Sequence, residues 1–116
     1  MNDELVIYLL VRDDIKMSKG KTAAQCCHAV QDLIIQCPKH ILKQYTKNHN
    51  TKICLKIHDL EEMEEIINDC TKEGFLYCQV IDAGLTELQP NTATVLGIGP
   101  ISKNKINPIV NQLKLL

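Results

Sequence analysis

Three polar side chains lie at helical spacing in an otherwise apolar stretch near the start of the chain. Lys21, Gln25 and His28 follow one another at intervals of four and three residues, which places them on one face of an α-helix. A buried cation, amide or imidazole without a partner costs about 1 to 3 kcal/mol, so a cleft that faces solvent or a ligand is the favoured setting. We expect this helix to form one wall of a site.

Other polar residues are expected to reach the same place. Asp82 and Thr86 follow a predicted strand, and Thr94 lies near the start of the next one. Ligands of α/β sheets bind outside the carboxyl ends of the strands, so these segments and the Lys21 helix should converge on one crevice if the last strand runs antiparallel. Each residue also has a purely structural interpretation: a turn cap for Asp82, a satisfied core histidine for His28 and a strand former for Thr94.

The chemistry of this set suits hydrolysis of an activated acyl group by water. Asp82 or His28 could orient and deprotonate the water, and the ammonium group of Lys21 could stabilise the developing oxyanion. The threonine hydroxyls could hold the substrate by hydrogen bonds. No serine lies in a nucleophile elbow, and neighbouring helical residues such as Cys27 and His28 point about 100° apart, which disfavours a thiol nucleophile and its base.

Strands alternate with helices along the sequence, which predicts an α/β sandwich around a largely parallel sheet. Residues 52–57 alternate polar and apolar side chains, as expected of a strand at a sheet edge. The final helix should be short or interrupted, because Pro108 fits a first helical turn better than an interior. The other predicted elements are strands at 5–11, 77–81 and 92–98 and helices at 21–36, after Pro38, and from Asp59 to Gly74.

The helix at 21–36 is expected to pack on nearly every side except its polar rim, because most of its other residues are small or apolar. These residues are Ala23, Ala24, Cys26, Cys27, Ala29, Val30, Leu33 and Ile34. The six cysteines of the chain lack the paired spacing of zinc sites, and we assign them to packing. The glycines at 97 and 99 do not form a dinucleotide-binding fingerprint.

Length and composition predict one domain spanning residues 1–116. The chain has 45% hydrophobic and 23% charged residues, and no apolar run approaches the roughly 20 residues of a membrane span. Its first residues are acidic where a targeting peptide would be basic, so we expect a cytoplasmic protein without a membrane association.

Net charge is only −1, which argues against indiscriminate binding of nucleic acid. A local cluster of positive charge stands out instead, formed by Arg12, Lys16, Lys19 and Lys21. A basic loop beside a helix start could hold a few phosphates, and a solvated surface turn is the alternative.

Three separated motifs, in order, resemble the archaeal and eukaryotic type of peptidyl-tRNA hydrolase, the type 2 family. They are Met17-x-Lys19-Gly20-Lys21-x-Ala23-Ala24-Gln25-x-x-His28-Ala29, Gln79-x-x-Asp82-Ala83-Gly84-x-Thr86, and Thr94-Val95-Leu96-Gly97-Ile98-Gly99-Pro100 with a closing Leu113-Lys114-Leu115. The resemblance implies a three-layer α/β domain with a four-stranded mixed sheet, helices on both faces, and a homodimer. It also implies hydrolysis of the ester that joins a peptide to the 3′ end of tRNA, with no metal or organic cofactor.

The resemblance also assigns residues. Lys21, Asp82 and Thr94 match the family's proposed catalytic residues, and we add His28 to them. For binding the acceptor end of peptidyl-tRNA we nominate Lys16, Lys19, Gln25, Gly84 and Thr86.

The chain departs from the family pattern in a few places. Leu85 stands where the family commonly has Arg, which predicts weaker phosphate binding. Ser18 replaces a usual Gly and Asp13 a usual Thr, while Pro108 and the segment 110–112 alter the last helix. A non-catalytic adaptor that binds tRNA or a protein is therefore an alternative function, and a small-molecule amidase or esterase is another.

Overall fold

The structure is a computed structural model that describes residues 3–85 and 88–116. Its strands and helices alternate much as the sequence predicts, and the α/β class is confirmed. In chain order the elements are β1 (Leu5–Arg12), α1 (Lys19–Gln36), α2 (Lys39–Lys47), β2 (Lys52–Ile57), α3 (Leu60–Glu73), β3 (Tyr77–Asp82), β4 (Thr92–Ser102), α4 (Lys103–Val110) and β5 (Lys114–Leu115).

The sheet is mixed and has five strands in the order β3-β4-β1-β2-β5, so the expectation of four strands is wrong. The additional strand, β5, pairs antiparallel with β2 through Leu115 and Lys114. Two residues are too short to show a strand period, which is why the sequence pattern did not reveal this strand. Because β5 covers one side of β2, the prediction that residues 52–57 form a sheet edge is also wrong.

The expectation of a mostly parallel sheet is wrong as well. In the described residues, β1 and β2 form the one parallel pair, while β1–β4, β3–β4 and β2–β5 are antiparallel. β4 lies between β1 and β3 and runs opposite to both. Each of these two strands therefore pairs antiparallel with β4. The carboxyl ends of β1 and β3 therefore lie at the same edge of the sheet as the start of β4.

Helices cover both faces of the sheet, as expected for a three-layer arrangement. Residues of α1 and α2 pack with one side of β1, β3 and β4, around Ile7, Leu33 and Val95. Residues of α3 and α4 pack on the opposite side, around Leu10 and Met63. Burial of these apolar side chains supplies the main driving force for the fold.

Helix α1 is less buried than its composition predicts. Its buried residues are Gln25, Ala29 and Leu33, which recur every four positions along one stripe. Ala23, Ala24 and the neighbouring Cys27 are exposed, so the expectation that this helix packs on nearly every side is wrong. A helix that lies on a sheet buries a single stripe, and small residues are tolerated equally well on its outer face.

Gly97 sets how closely α1 approaches the sheet. A Cβ atom at this position would lie 2.9 Å from Leu33 Cδ1 and 3.1 Å from Ala29 Cβ, both on α1. A side chain here would force Leu33 to move and would crowd Ala29, so the absence of a side chain at residue 97 favours the close approach of α1 to β4. The polar residues of α1 are thereby brought close to the strands beneath them.

The ends of the helices follow the expected capping chemistry. Asp59 Oδ1 accepts a hydrogen bond of 2.9 Å from the amide of Glu62 at the start of α3. Gly74 ends this helix in the left-handed region at φ 72°. Helix α4 is short, as predicted, but Pro108 lies inside it rather than in its first turn. No helix in the described part of the chain is long and apolar enough to cross a membrane.

Candidate active site

Lys21 enters the site from the first turn of α1. The hydroxyl of Ser18, the N-cap residue, accepts a hydrogen bond of 3.1 Å from the backbone amide of Lys21. The helix start is thereby fixed two residues before the lysine, and the Lys21 ammonium group donates to Asp82 Oδ1 at the end of β3. Both side chains of this ion pair are largely shielded from solvent.

Asp82 is held by the backbone on its second oxygen. The amide of Gly84 donates to Oδ2 at 2.8 Å. The Lys21 hydrogen bond, with the Gly84 amide in support, lowers the pKa of Asp82 below its usual value, although desolvation of the carboxylate acts in the opposite direction. At neutral pH this side chain is therefore an anion held by a cation.

The turn after β3 depends on the glycine itself. Gly84 has φ 79°, and a Cβ atom there would lie 2.5 Å from the backbone nitrogen of Pro90. A side chain at this position would be strained and would also collide with the returning chain. The Gly84 amide therefore points at the Asp82 carboxylate because residues 82–84 turn tightly, and the nomination of Gly84 for substrate binding stays a prediction.

Gln25 and Thr94 form a second polar contact, one helical turn along α1 from Lys21. Gln25 Nε2 donates to Thr94 Oγ1 at 2.8 Å, and the threonine hydroxyl donates in turn to the carbonyl of Val80 at 3.3 Å. Both side chains are almost fully buried. Their hydrogen bonds satisfy groups that would otherwise be costly to bury.

Thr94 lies at an irregularity in β4. Val80 pairs with Val95, but the next β3 residue, Ile81, pairs with Ala93, so Thr94 is left as an extra residue in β4. Bulges of this kind bend a strand and redirect a side chain, and they are frequent beside active sites. Here the extra residue is Thr94, whose side chain contacts Gln25 of α1.

His28 lies one turn beyond Gln25 and is exposed to solvent. Its charge contributes the smallest of the effects that lower the pKa of Asp82, which places the imidazole within electrostatic reach of that carboxylate. The polar face predicted for Lys21, Gln25 and His28 is therefore observed, with a buried amide between two groups nearer the surface.

Arg12, which the sequence pattern counted only as part of a basic loop, makes directed contacts at this edge of the sheet. Its Nη1 donates to the carbonyl of Ala93 at 3.0 Å, and its Nε and Nη2 donate to Asp14 at 3.0 and 2.7 Å. Only 12% of its side chain is exposed. Net charge and spacing could not have revealed the bond to Ala93, because it depends on how β1 and β4 meet.

The sequence matches the family described as peptidyl-tRNA hydrolase PTH2 over residues 5–116. The chain belongs to this family. Peptidyl-tRNA hydrolases of Methanococcus vannielii and Saccharolobus islandicus are 34% and 38% identical to it, and each alignment covers 93% of this chain and 96% of the relative. A probable peptidyl-tRNA hydrolase 2 of Drosophila melanogaster is 33% identical over the full chain, which corresponds to 64% of that protein.

The resemblance drawn from the three sequence motifs is thus confirmed for the peptidyl-tRNA hydrolase family. Of the residues nominated from those motifs, Lys21, Asp82, Gln25 and Thr94 meet in two direct contacts, and the Gly84 amide completes the first of them. Lys16 and Lys19 are exposed on the loop and first turn before Lys21. Thr86 lies outside the described residues.

The cysteines of this peptidyl-tRNA hydrolase family member are unpaired in the described residues, and three of them, Cys37, Cys70 and Cys78, are buried as expected. The assignment of every cysteine to packing is wrong for Cys27, which is exposed on α1. Burial raises the pKa of Cys26 to about 12, so its thiol is protonated at neutral pH.

Within the part of the chain that the structure describes, no cluster of His, Cys, Asp or Glu is arranged to hold a metal ion.

Proposed function

We propose that this chain, acting as one domain over residues 1–116, hydrolyses the ester bond of peptidyl-tRNA and releases free tRNA and peptide. Membership of the peptidyl-tRNA hydrolase PTH2 family supports the reaction. The observation that carries the proposal is the ion pair of Lys21 with Asp82, one helical turn of α1 from the Gln25–Thr94 hydrogen bond. A cation held beside an anion is suited to hydrolysis of an ester by water.

In this proposal Lys21 stabilises the oxyanion that forms when water attacks the ester carbonyl. Its ammonium group is held in place before the reaction by Asp82, so little reorganisation is needed as charge develops. Thr94 is buried and its hydroxyl already bonds Gln25 and the Val80 carbonyl, so we propose that it supports the polar face of α1 beside Lys21 rather than binding the ester directly. The carbon–oxygen bond to the tRNA then breaks, and the tRNA hydroxyl receives a proton.

We assign His28 as the base that takes the proton from the attacking water. A lowered pKa makes the Asp82 carboxylate a weak proton acceptor, which suits it to orienting water and holding Lys21 rather than to removing the proton. His28 is exposed at the rim and within electrostatic reach of Asp82. Imidazole is the commonest general base in enzymes that work near neutral pH.

The acceptor end of the tRNA is held, in our proposal, by exposed lysines that precede Lys21 in the chain. Lys16 and Lys19 lie on the segment that leads into α1, next to Lys21. Phosphate contacts position a nucleic acid without reading its sequence, so a few lysines suffice for a substrate class that includes many tRNAs. Local positive charge also explains how a chain of net charge −1 could bind RNA at one place.

Deacylation of N-acetyl-aminoacyl-tRNA by the purified protein tests this proposal. We expect cleavage by the wild type and its loss, by about 100-fold or more, in Lys21→Ala and Asp82→Ala. Lys39→Ala is the matched control, because Lys39 is an exposed lysine at the start of α2 and belongs to neither polar contact. Circular dichroism checks that each variant is folded.

Two results would favour the alternatives. Binding of the tRNA without cleavage by the wild type would indicate a non-catalytic adaptor. Cleavage of simple esters at a rate that added tRNA does not change would indicate a small-molecule esterase.

We further propose that the protein is a cytoplasmic homodimer. The homodimer is what the resemblance to the type 2 family implies, and a partner would bury large apolar side chains that lie in the interface. The large apolar side chains with the highest exposure in the described residues are Ile35, Leu85 and Leu115. Light scattering should then give about twice the chain mass of 13.1 kDa, whereas a mass of one chain would exclude the dimer.

A further inference from the structure

Arg12 is the only arginine in the sequence, and the other 12 of its 13 basic residues are lysines. It is also largely shielded from solvent, whereas Lys16 and Lys19 nearby are exposed. A guanidinium group differs from an ammonium group in its planar fork of donors, which can bind several acceptors in fixed directions. The use of arginine at this position therefore points to a geometric requirement rather than to a need for positive charge.

The contacts of Arg12 show what that geometry connects. Nε and Nη2 bind both oxygens of Asp14, at 3.0 and 2.7 Å, so the plane of the guanidinium is fixed from one side. Nη1 donates to the carbonyl of Ala93 at 3.0 Å on the other side. A lysine could not make these three bonds at once, since its donors radiate from a single atom.

The Ala93 carbonyl lies where the pairing of β4 with both of its neighbouring strands changes. The pairing of β1 with β4 ends at Val11 and Val95, so Arg12 extends the connection between these strands beyond their last paired residues. Ala93 directly precedes Thr94, the extra residue of β4, where the pairing with β3 changes register. Arg12 therefore holds β4 from the β1 side at the point where pairing with β3 is irregular.

We propose that Arg12 is a positioning residue that fixes the β4 irregularity and so directs the Thr94 hydroxyl toward Gln25, one helical turn from Lys21 on α1. Arg12 does not touch the substrate in this proposal. Its effect passes through the Ala93 carbonyl and the adjoining peptide bond to Thr94. The part that concerns catalysis rests on the proposed function, whereas the part that concerns the position of Thr94 does not.

The kinetic test is a double-mutant cycle of Arg12→Lys and Thr94→Val in the deacylation assay. We expect Arg12→Lys to lower kcat by about 10- to 100-fold while KM changes by less than about threefold, because a small shift of the contact that holds the polar face of α1 costs turnover rather than binding. The double variant should be no slower than Thr94→Val alone, because both changes remove the same interaction. Additive losses would overturn the proposal, as would a loss confined to KM that grows with salt, which would indicate a direct phosphate contact.

Exchange of the Gln25 side-chain amide protons with solvent, followed by NMR, gives a readout that requires no activity. These protons are protected when Nε2 donates to Thr94 Oγ1 in the buried contact. Arg12→Lys should accelerate their exchange by about tenfold or more while exchange in the α3 core stays unchanged. Unchanged Gln25 exchange would overturn the proposal even if the protein proved not to be a hydrolase.

Asp14→Asn provides a second variant that retains the arginine. It weakens the bidentate contact that fixes the guanidinium but leaves the Ala93 bond possible. We expect a smaller loss of kcat than in Arg12→Lys, in the same direction, with faster Gln25 exchange. An increase in kcat or a slower exchange in Asp14→Asn would contradict the proposed role of this network.

Discussion

Lys21 and Asp82 keep each other charged in a place that is poorly accessible to water. A salt bridge of this kind contributes little to stability, since the cost of desolvation offsets the attraction between the charges. Its value lies in having a cation already oriented where negative charge would develop during ester hydrolysis. The Gly84 amide at 2.8 Å strengthens this arrangement by holding the second carboxylate oxygen.

The assignment of the base to His28 predicts a specific pH dependence. The Lys21 hydrogen bond lowers the pKa of Asp82 below its usual value, so its carboxylate stays ionised from neutral to mildly acidic pH and contributes no loss of activity there. An acidic limb of the kcat profile in that range would then belong to a group other than Asp82, and His28 is the base that we propose. We expect His28→Ala to lower kcat by about 100-fold and to remove this acidic limb.

The pH profile of Asp82→Asn provides the comparison. This variant should be slow but should keep the acidic limb, because His28 is still present. An acidic limb that survives in His28→Ala and disappears in Asp82→Asn would instead assign the proton transfer to Asp82.

Leu85 offers a test of RNA binding at a single position. It is 89% exposed, next to the turn that holds Asp82. We expect Leu85→Arg to tighten binding of an acceptor-stem mimic. The slope of log affinity against log salt concentration should also steepen, by about the amount that one phosphate contact contributes. Leu85→Gln is the matched control without charge. Equal affinities of the two variants would show that no phosphate lies near this position.

The approach of α1 to β4 determines whether the two polar contacts of the site can form. We expect Gly97→Ala to destabilise the protein by about 1 to 3 kcal/mol, because the new methyl group would overlap with Leu33 and Ala29. Urea denaturation measures the change. Gly20→Ala is the control, since the same methyl group at the start of α1 meets nothing within 4 Å. A loss of stability for Gly20→Ala equal to that for Gly97→Ala would contradict this explanation.

Much of this architecture could be predicted from the sequence because the signals are local. The apolar run of β1, the alternation of β2 and the Asp59 cap with Gly74 at the end of α3 each follow from the nearest residues in the chain. The polar face of α1 was predictable for the same reason, since intervals of four and three residues define one side of a helix.

The remaining features depend on contacts between distant segments. The two-residue strand β5 exists only because β2 offers it a partner, and the antiparallel placement of β4 between β1 and β3 leaves no trace in a local pattern. The role of Gly97 appears only once α1 lies above it. Arg12 is the clearest case in the site, because its partner in β4 is 81 residues away along the chain.

The charge of the complete chain limits how the protein can bind RNA. With 13 basic and 14 acidic residues it has no general attraction for a polyanion, so binding should depend on the few lysines near the start of α1. We expect the logarithm of tRNA affinity to fall with the logarithm of salt concentration with a slope of about −2 to −3, as for three or four phosphate contacts. Filter binding at several salt concentrations measures this slope. A value near zero, or one steeper than about −6, would contradict a small local contact.

Single-turnover cleavage of N-acetyl-aminoacyl-tRNA by an excess of enzyme separates chemistry from binding. If Lys21 and Asp82 act on the ester, Lys21→Ala should bind the tRNA within about threefold of the wild type and cleave it at least about 100-fold more slowly at saturation. Cleavage at the wild-type rate once the variant is saturated would contradict the account, because Lys21 would then serve only to hold the substrate.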